Sequence, residues 1–313
     1  MKTKSILFGA LAMVALASCS SDDNAAGQLD PNEARFSATM PTAKAARAVG
    51  ASWEAGDQIG IYCTTGPKTY TNVAYQNATG AATSVSFEAV TDKIYYQSTA
   101  EVTFYAYYPY KNTLSGADAA ADTQQQQNQK EFDFMFATAT GSKAANNVNF
   151  NFKHKMTKLV LTVKGADDVT FSEIQDMNLY LNNVATEGKF TANTGATALT
   201  GAALNYQFQG NGEAAKNAPY TDSGSERTFT FYFFPQTFST ALEVRGEIAG
   251  LQDFKESIDF SAANSNVGLE NANKWFAGYE YHLTATMHKT AIVVEGCTIT
   301  DWTVVDAGNI DAY

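Results

Sequence analysis

Apolar residues along this chain fall mostly at alternate positions, in short runs punctuated by Gly, Asn, Asp and Pro. That is the pattern of half-buried β-strands, and amphipathic helical spacing is scarce. The first run is 36–40, where Phe36, Ala38 and Met40 share one face and Ser37 and Thr39 the other. Strands are then predicted over 58–63, entered through Gly56-Asp57, and over 84–89, 93–96 and 101–110. The last is the clearest: Val102, Phe104, Ala106 and Tyr108 face one way, Thr103, Tyr105 and Tyr107 the other, and Pro109 ends the ladder. Residues 112–130, with consecutive glutamines at 124–127, read as a mobile polar loop with too little apolar surface to offset its ordering. A strand resumes over 131–139. Later strands are predicted over 177–181, 188–192, 227–234, 242–248, 254–260, 280–287, 290–294 and 297–304, with one helical turn over 271–277.

Between the halves the alternation changes parity. Val148, Phe150, Phe152, His154 and Met156 alternate, and then Leu159, Leu161 and Val163 alternate in the opposite phase. A strand with one buried face changes phase only at a bulge or a change of partner. The switch therefore marks either a bulged strand or the crossing between two sandwiches, and it sets domains at 35–150 and 151–313. Aromatic strands ending in proline, Tyr107-Tyr-Pro-Tyr110 and Phe233-Phe-Pro-Gln236, sit at similar places in both halves. A chain of 313 residues rich in Thr, Tyr, Phe and Val suits an all-β protein of two ordinary domains.

The start of the chain has a different pattern. Lys2 and Lys4 precede an apolar run over 6–17, too short to span a bilayer comfortably, and Leu16-Ala17-Ser18-Cys19 follows. That tetrapeptide resembles a lipobox. Residues 1–18 are read as a signal peptide and Cys19 as the lipidated first mature residue, held on a membrane by about 0.8 kcal/mol per buried methylene. Residues 19–34 are polar and read as a flexible tether. The acidic pair Asp22-Asp23 just after Cys19 resembles the surface-export signal of Bacteroidetes lipoproteins.

A net charge of −11 makes the chain a poor partner for nucleic acid or an anionic membrane surface. Cys63 and Cys297, the two remaining cysteines, are far apart in sequence, and spacing leaves open whether they pair. Of the three histidines, His154 lies within an alternating strand. His282 and His288 are six residues apart, about 20 Å along a strand and too far for one zinc. No nucleophile elbow, zinc-protease motif, phosphate loop or dinucleotide fingerprint occurs. No enzyme, cofactor or metal is expected. Tyr105, Tyr107, Tyr108 and Tyr110 either form a sugar-stacking platform or fill a core on one face and a domain contact on the other.

Several stretches together resemble the fimbrillin family of Bacteroidetes pilus subunits and adhesins. They are Phe36-Ser-Ala-Thr-Met40, Trp53-Glu-Ala-Gly-Asp-Gln-Ile-Gly-Ile-Tyr62, Tyr105-Ala-Tyr-Tyr-Pro-Tyr110, Phe150-Asn-Phe-Lys-His-Lys-Met-Thr-Lys-Leu159, Phe231-Tyr-Phe-Phe-Pro235 and Ile299-Thr-Asp-Trp302. The resemblance implies two tandem transthyretin-like Greek-key β-sandwiches. It also implies a lipid-anchored outer-membrane protein at the cell surface, assembled into a fimbrium by strand exchange with other subunits. In such proteins a protease cuts after an arginine near the first strand and another subunit's strand fills the gap. Arg47 is the better candidate, since a cut there releases Phe36, Ala38 and Met40, whereas a cut at Arg35 leaves them in place. The implied donor is the C-terminal segment with Ile292, Val294, Ile299, Trp302 and Val304. The short remainder to Tyr313 also suits a tip or anchor subunit that receives a strand and gives none. The competing reading is a permanently anchored lipoprotein that binds a glycan or host ligand and does not polymerise.

Overall fold

Alternating residues pair into ladders because each strand buries one face and leaves its backbone groups to be satisfied by neighbours. The computed structural model describes residues 30–40, 52–210, 216, 218–247 and 253–302. By its contacts the chain separates into Met1–Asp30 and Pro31–Tyr313, and every element named below belongs to the latter. The protein is nearly all β, in several sheets.

The first strands are β1 (Arg35–Thr39), β2 (Gln58–Cys63), β3 (Tyr70–Asn77), β4 (Ser84–Ala89), β5 (Val102–Tyr108), β6 (Asp118–Asp122), β7 (Met135–Gly141), β8 (Asn147–Asn151) and β9 (Lys153–His154). All but β6 form one eight-stranded sheet in the order β8-β1-β4-β3-β2-β5-β7-β9. Its two end strands, β8 and β9, are joined through Phe152 alone. Laid flat, eight strands would hold their outer members about 34 Å apart, and one residue spans a tenth of that. The sheet must therefore curl until its ends meet. Inside it lies one apolar core that includes Phe36, Ile59, Ile61, Phe87, Phe104 and Phe150.

The chain continues through β10 (Thr157–Gly165), helix α1 (Phe171–Asp176), β11 (Asn178–Ala185), β12 (Glu187–Thr191), β13 (Ala196–Leu199), β14 (Ala203–Gln209), β15 (Tyr220–Ser223), β16 (Glu226–Phe233), β17 (Gln236–Thr237), β18 (Leu242–Glu247), β19 (Phe254–Ile258), helix α2 (Ser261–Asn266), β20 (Lys274–Trp275), β21 (Tyr279–Met287), β22 (Ile292–Val294) and β23 (Thr298–Asp301). One sheet runs β15-β16-β10-β21-β22, with β23 also on β21, and a second runs β14-β11-β18-β19. Both face a second core, to which Leu161, Phe231 and Leu283 come from one sheet and Leu181, Phe208 and Val244 from the other.

The phase switch coincides with a change of partner. His154 on β9 pairs with Met135 on β7, whereas β10 pairs antiparallel with β16 and parallel with β21. A third apolar cluster draws on strands of both halves, with Tyr62, Tyr107, Phe134, Phe190, Tyr232, Phe234 and Trp302 among its members. Tyr107 reaches it across Gly60, where a Cβ would stand only 2.1 Å from the Tyr107 ring. The ladder of β6 on β12, from Asp122↔Glu187 to Asp118↔Thr191, adds backbone pairing between early and late segments.

Three local expectations are corrected. The glutamine tract is not a loose loop: β6 precedes it and a 3-10 turn covers Gln126–Glu131. The buried Gln126 amide donates to Thr123 O at 2.7 Å and Tyr232 O at 2.9 Å, and accepts from Tyr232 N–H at 3.0 Å. Polar bonds to a neighbouring strand order this segment where apolar burial could not. Residues 93–96 form no strand, only a bridge between Tyr95 and Glu33. The helical turn lies at α2, and 271–277 instead contains β20 with Trp275 fully buried.

Candidate functional site

The first strand is the feature around which a site can be built. Ala34, Phe36, Ala38 and Met40 all point into the first core, with Phe36 at 2%, Ala38 at 0% and Met40 at 5% exposure. Although β1 opens the sheet in sequence, it is an interior strand in space. On one flank it runs antiparallel to β4, with Phe36↔Phe87 and Ala38↔Val85. On the other it runs parallel to β8, with Phe36↔Val148 and Ala38↔Phe150. Its polar face is tied as well, Ser37 Oγ donating to Asn149 Oδ1 at 3.1 Å. The end of the expected tether is also pinned: Ala34 N–H donates to Ile94 O at 2.9 Å, and Tyr96 N–H to Asn32 O at 2.8 Å.

Phe36 sits in an aromatic cage. Tyr75 and Phe104 meet its ring edge-on at 4.9 and 5.1 Å, and Phe150 stacks on it at 5.6 Å. Tyr75 is held in place by the Ile94 N–H donated to its hydroxyl at 2.9 Å, and burial pushes its phenol pKa upward. Ala38, wholly enclosed, marks a point where the wall leaves room for a methyl group.

The chain leaves and re-enters at one spot. Met40 N–H donates to Thr83 O at 2.7 Å, and Trp53 N–H donates to Ala82 O at 2.9 Å. Met40 and Trp53, the described residues on either side, are thus held by the consecutive residues Thr83 and Ala82. Trp53 stays anchored independently of β1, its buried indole packed edge-on against Phe87, Tyr108 and Phe152. Arg47 lies outside the described residues, as do Cys19 and Val304.

The C-terminal candidates are folded onto their own chain. Ile292 and Val294 lie on β22 and Ile299 on β23, both paired with β21. The residue numbers of partners sum to 579 in β22 (Ala285↔Val294) and to 580 in β23 (Tyr281↔Ile299), so the two are one strand interrupted by a one-residue bulge. Cys297 sits at that bulge, and burial pushes its thiol up to about 12. Cys63 and Cys297 are both free. Beyond β23, Trp302 N–H donates to Gly278 O at 2.8 Å and its buried ring enters the third cluster.

The other chemistry-bearing residues are satisfied locally. Tyr107 is buried with its hydroxyl donating to Asn72 Oδ1 at 2.7 Å, Tyr108 belongs to the first core, and Tyr105 lies half-buried along Phe136. The four tyrosines present no exposed coplanar row. His154 pairs with Asp133 at 2.8 Å, His282 with Glu280 at 3.0 Å and His288 with Asp168 at 3.6 Å. Among the described residues no three of His, Cys, Asp and Glu converge as a metal site. Local sequence did not disclose that β8, with Val148 and Phe150, is the strand beside β1. Its alternation was visible, but a pairing across 112 residues (Ser37 to Asn149) leaves no local mark.

Comparison with known proteins places this architecture. A curated relative, a candidate fimbrium subunit Fim1C of Bacteroides uniformis, is 26% identical over 319 residues, covering 98% of each chain. The crystal structure of a candidate cell adhesion protein from Bacteroides uniformis is 26% identical, covers 88% of this chain and all of its own (100%), and superposes with a TM-score of 0.66. A corresponding protein from Bacteroides ovatus is 25% identical, with 88% and 99% coverage and a TM-score of 0.65. The family model described as fimbrillin-like matches residues 46–302, most of the chain, and this protein therefore belongs to the fimbrillin-like family.

Proposed function

We propose that this protein is a surface subunit of a fimbrium, lipidated at Cys19, which joins another subunit by giving up its first strand after a cut at Arg47. In this reading the two cores are tandem sandwiches, and the first is the acceptor. The observation that carries it is the placing of Phe36 and Ala38 on a strand with a ladder on each flank, followed by the buried Met40, whose N–H is held by Thr83 O next to the Ala82 O that holds Trp53 N–H. A cut at Arg47 would fall after β1 and before the described residues that resume at Ser52. It would free 36–40 together with the lipid anchor and leave Trp53 seated.

The vacated slot would offer two rows of unpaired N–H and C=O groups, on β4 and on β8, above an apolar floor. Strand β8 has β1 as its strand partner in the ladder, so refilling the slot would also restore β8. An incoming strand must carry a small residue where Ala38 stands and a large one where Phe36 stands. Arg35 is a poorer target than Arg47, because its N–H donates to Asn146 O within the paired segment. The C-terminal segment bearing Ile292, Val294, Ile299, Trp302 and Val304 would serve as donor only after leaving β21.

The test is mass spectrometry of the mature N-terminus taken from intact outer membranes, alongside an Arg47→Ala variant that keeps Arg35. A terminus at Ala48 in polymer, and lipidated Cys19 with monomer in the variant, are the expected results. A wild-type chain that stays intact, lipidated and monomeric overturns the proposal.

A further inference from the structure

Met40, just after β1, and Trp302, just after β23, lie far apart in sequence, yet both reach the residues around Asp133 and Tyr232. On one side Met40 helps wall a cavity of about 30 Å³, together with Asp57, Tyr108, Gln129, Asp133 and Tyr232. That is room for one or two water molecules. On the other side Trp302 packs on the same cluster. Its indole stacks on His154 at 3.8 Å, His154 bonds Asp133 at 2.8 Å, and Tyr232 meets the indole edge-on at 4.8 Å. Asp133 and Tyr232 are thus shared: both line the cavity that Met40 lines, and both touch the His154–Trp302 stack.

We propose that this cluster is a latch that couples the first strand to the C-terminal strand. While Met40 packs in this wall, Asp133 and Tyr232 stay fixed, Trp302 stays seated, and β23 stays on β21. When Met40 withdraws, Asp133 and Tyr232 lose a packing partner, the His154 ring loses its fixed orientation, and Trp302 lets go. Contiguous packed side chains carry such coupling when both ends bias one arrangement. The ladder they control is weakly held, since it is a bulged edge strand. Joined to the proposed strand exchange, on which this meaning of the latch rests, it would keep the C-terminal strand at home until the first strand has been removed. The coupling itself requires no cleavage.

It can therefore be tested on the full, uncut chain by amide hydrogen exchange. Coupling between two sites is reciprocal. Met40→Ala is expected to speed exchange of the Trp302 amide, which donates to Gly278 O, by about fivefold or more, and Trp302→Ala to speed the Met40 amide, which donates to Thr83 O, by a similar factor. Met40→Leu, which keeps the side chain apolar and large, is the variant to use if the alanine form does not fold, and it should give a smaller rise at the same amide. Ile59→Val, in the first core and away from the cavity, should leave the Trp302 amide unchanged. A Trp302 amide indifferent to both Met40 variants, a Met40 amide indifferent to Trp302→Ala, or an equal rise in Ile59→Val would each overturn the latch. None of these results depends on whether Arg47 is ever cut, so the latch and the strand-exchange reading fail separately.

Discussion

The imidazole of His154 lies flat on the indole of Trp302, 3.8 Å between ring centroids and 5° from parallel. Asp133 fixes the imidazole from its edge at 2.8 Å, and both members of that pair are largely buried. His154→Ala would leave the Asp133 carboxyl without this partner and remove the surface under Trp302. A loss of about 2–3 kcal/mol is expected in denaturant unfolding. His154→Phe should recover the stacking but not the bond to Asp133, and so part of the loss.

The groove around the first strand should be sensitive to size in both directions. Phe36→Ala empties an aromatic cage and is expected to cost about 3–5 kcal/mol. Ala38→Leu adds bulk where there is none to spare and should cost about 1–3 kcal/mol or more. Denaturant midpoints measure both. A synthetic 33–40 peptide carrying the leucine should also fail to rebind a protein from which β1 has been removed, while the native peptide binds.

Within the glutamine tract one position should dominate. Gln126→Ala removes the side-chain bonds to the N–H and C=O of Tyr232 in the interior, at about 1–3 kcal/mol for each bond lost. Gln125 is exposed, and Gln125→Ala should fall within about 0.5 kcal/mol of wild type. Equal effects at the two positions would contradict the assignment of Gln126 as a structural tie.

Stability should fall at alkaline pH through tyrosines of the first core. Burial, with Cys63 nearby, pushes the Tyr96 phenol from 10.0 up to about 12, and burial moves Tyr75 in the same direction. Above pH 10 the unfolded chain releases these protons while the folded protein keeps them. The contribution is therefore complete below pH 10 and is lost as pH rises toward 12. Unfolding midpoints between pH 9 and 12, read with phenolate absorbance, check the sign: the part of the absorbance that Tyr96→Phe removes should appear together with unfolding and not before it.

What could be read in advance followed the strength of local alternation. Strands β2 and β4 occur at the expected limits because clear period-two runs are bounded there by turn residues. Strand β3 went unread: its Tyr-Thr-Asn-Val-Ala-Tyr run does not alternate cleanly, and Asn72 takes a positive φ of 51° within it. Helix α1 is one short segment, marked only by a capping box between Thr170 and Glu173. At the site, the inward trio Phe36, Ala38 and Met40 was plain from spacing. Its cage was not, because Tyr75, Phe104 and Phe150 come from three distant strands whose meeting depends on the curl of the whole sheet. Gln126 carries no local signal, because an amide satisfied by a neighbouring backbone looks, in sequence, like one bound for solvent.

The two ladders of β1 also bear on mechanical load. A strand bonded along one flank can be peeled, since tension opens its bridges one after another. Here β4 and β8 grip the strand from both sides over the same four positions, Phe36 to Thr39. Force applied along the strand therefore stretches both rows in shear at once, while the Phe36 ring must also be dragged past its cage. Whatever segment occupies this slot should hold against a pull and then give way abruptly, as a single rupture in a force–extension trace.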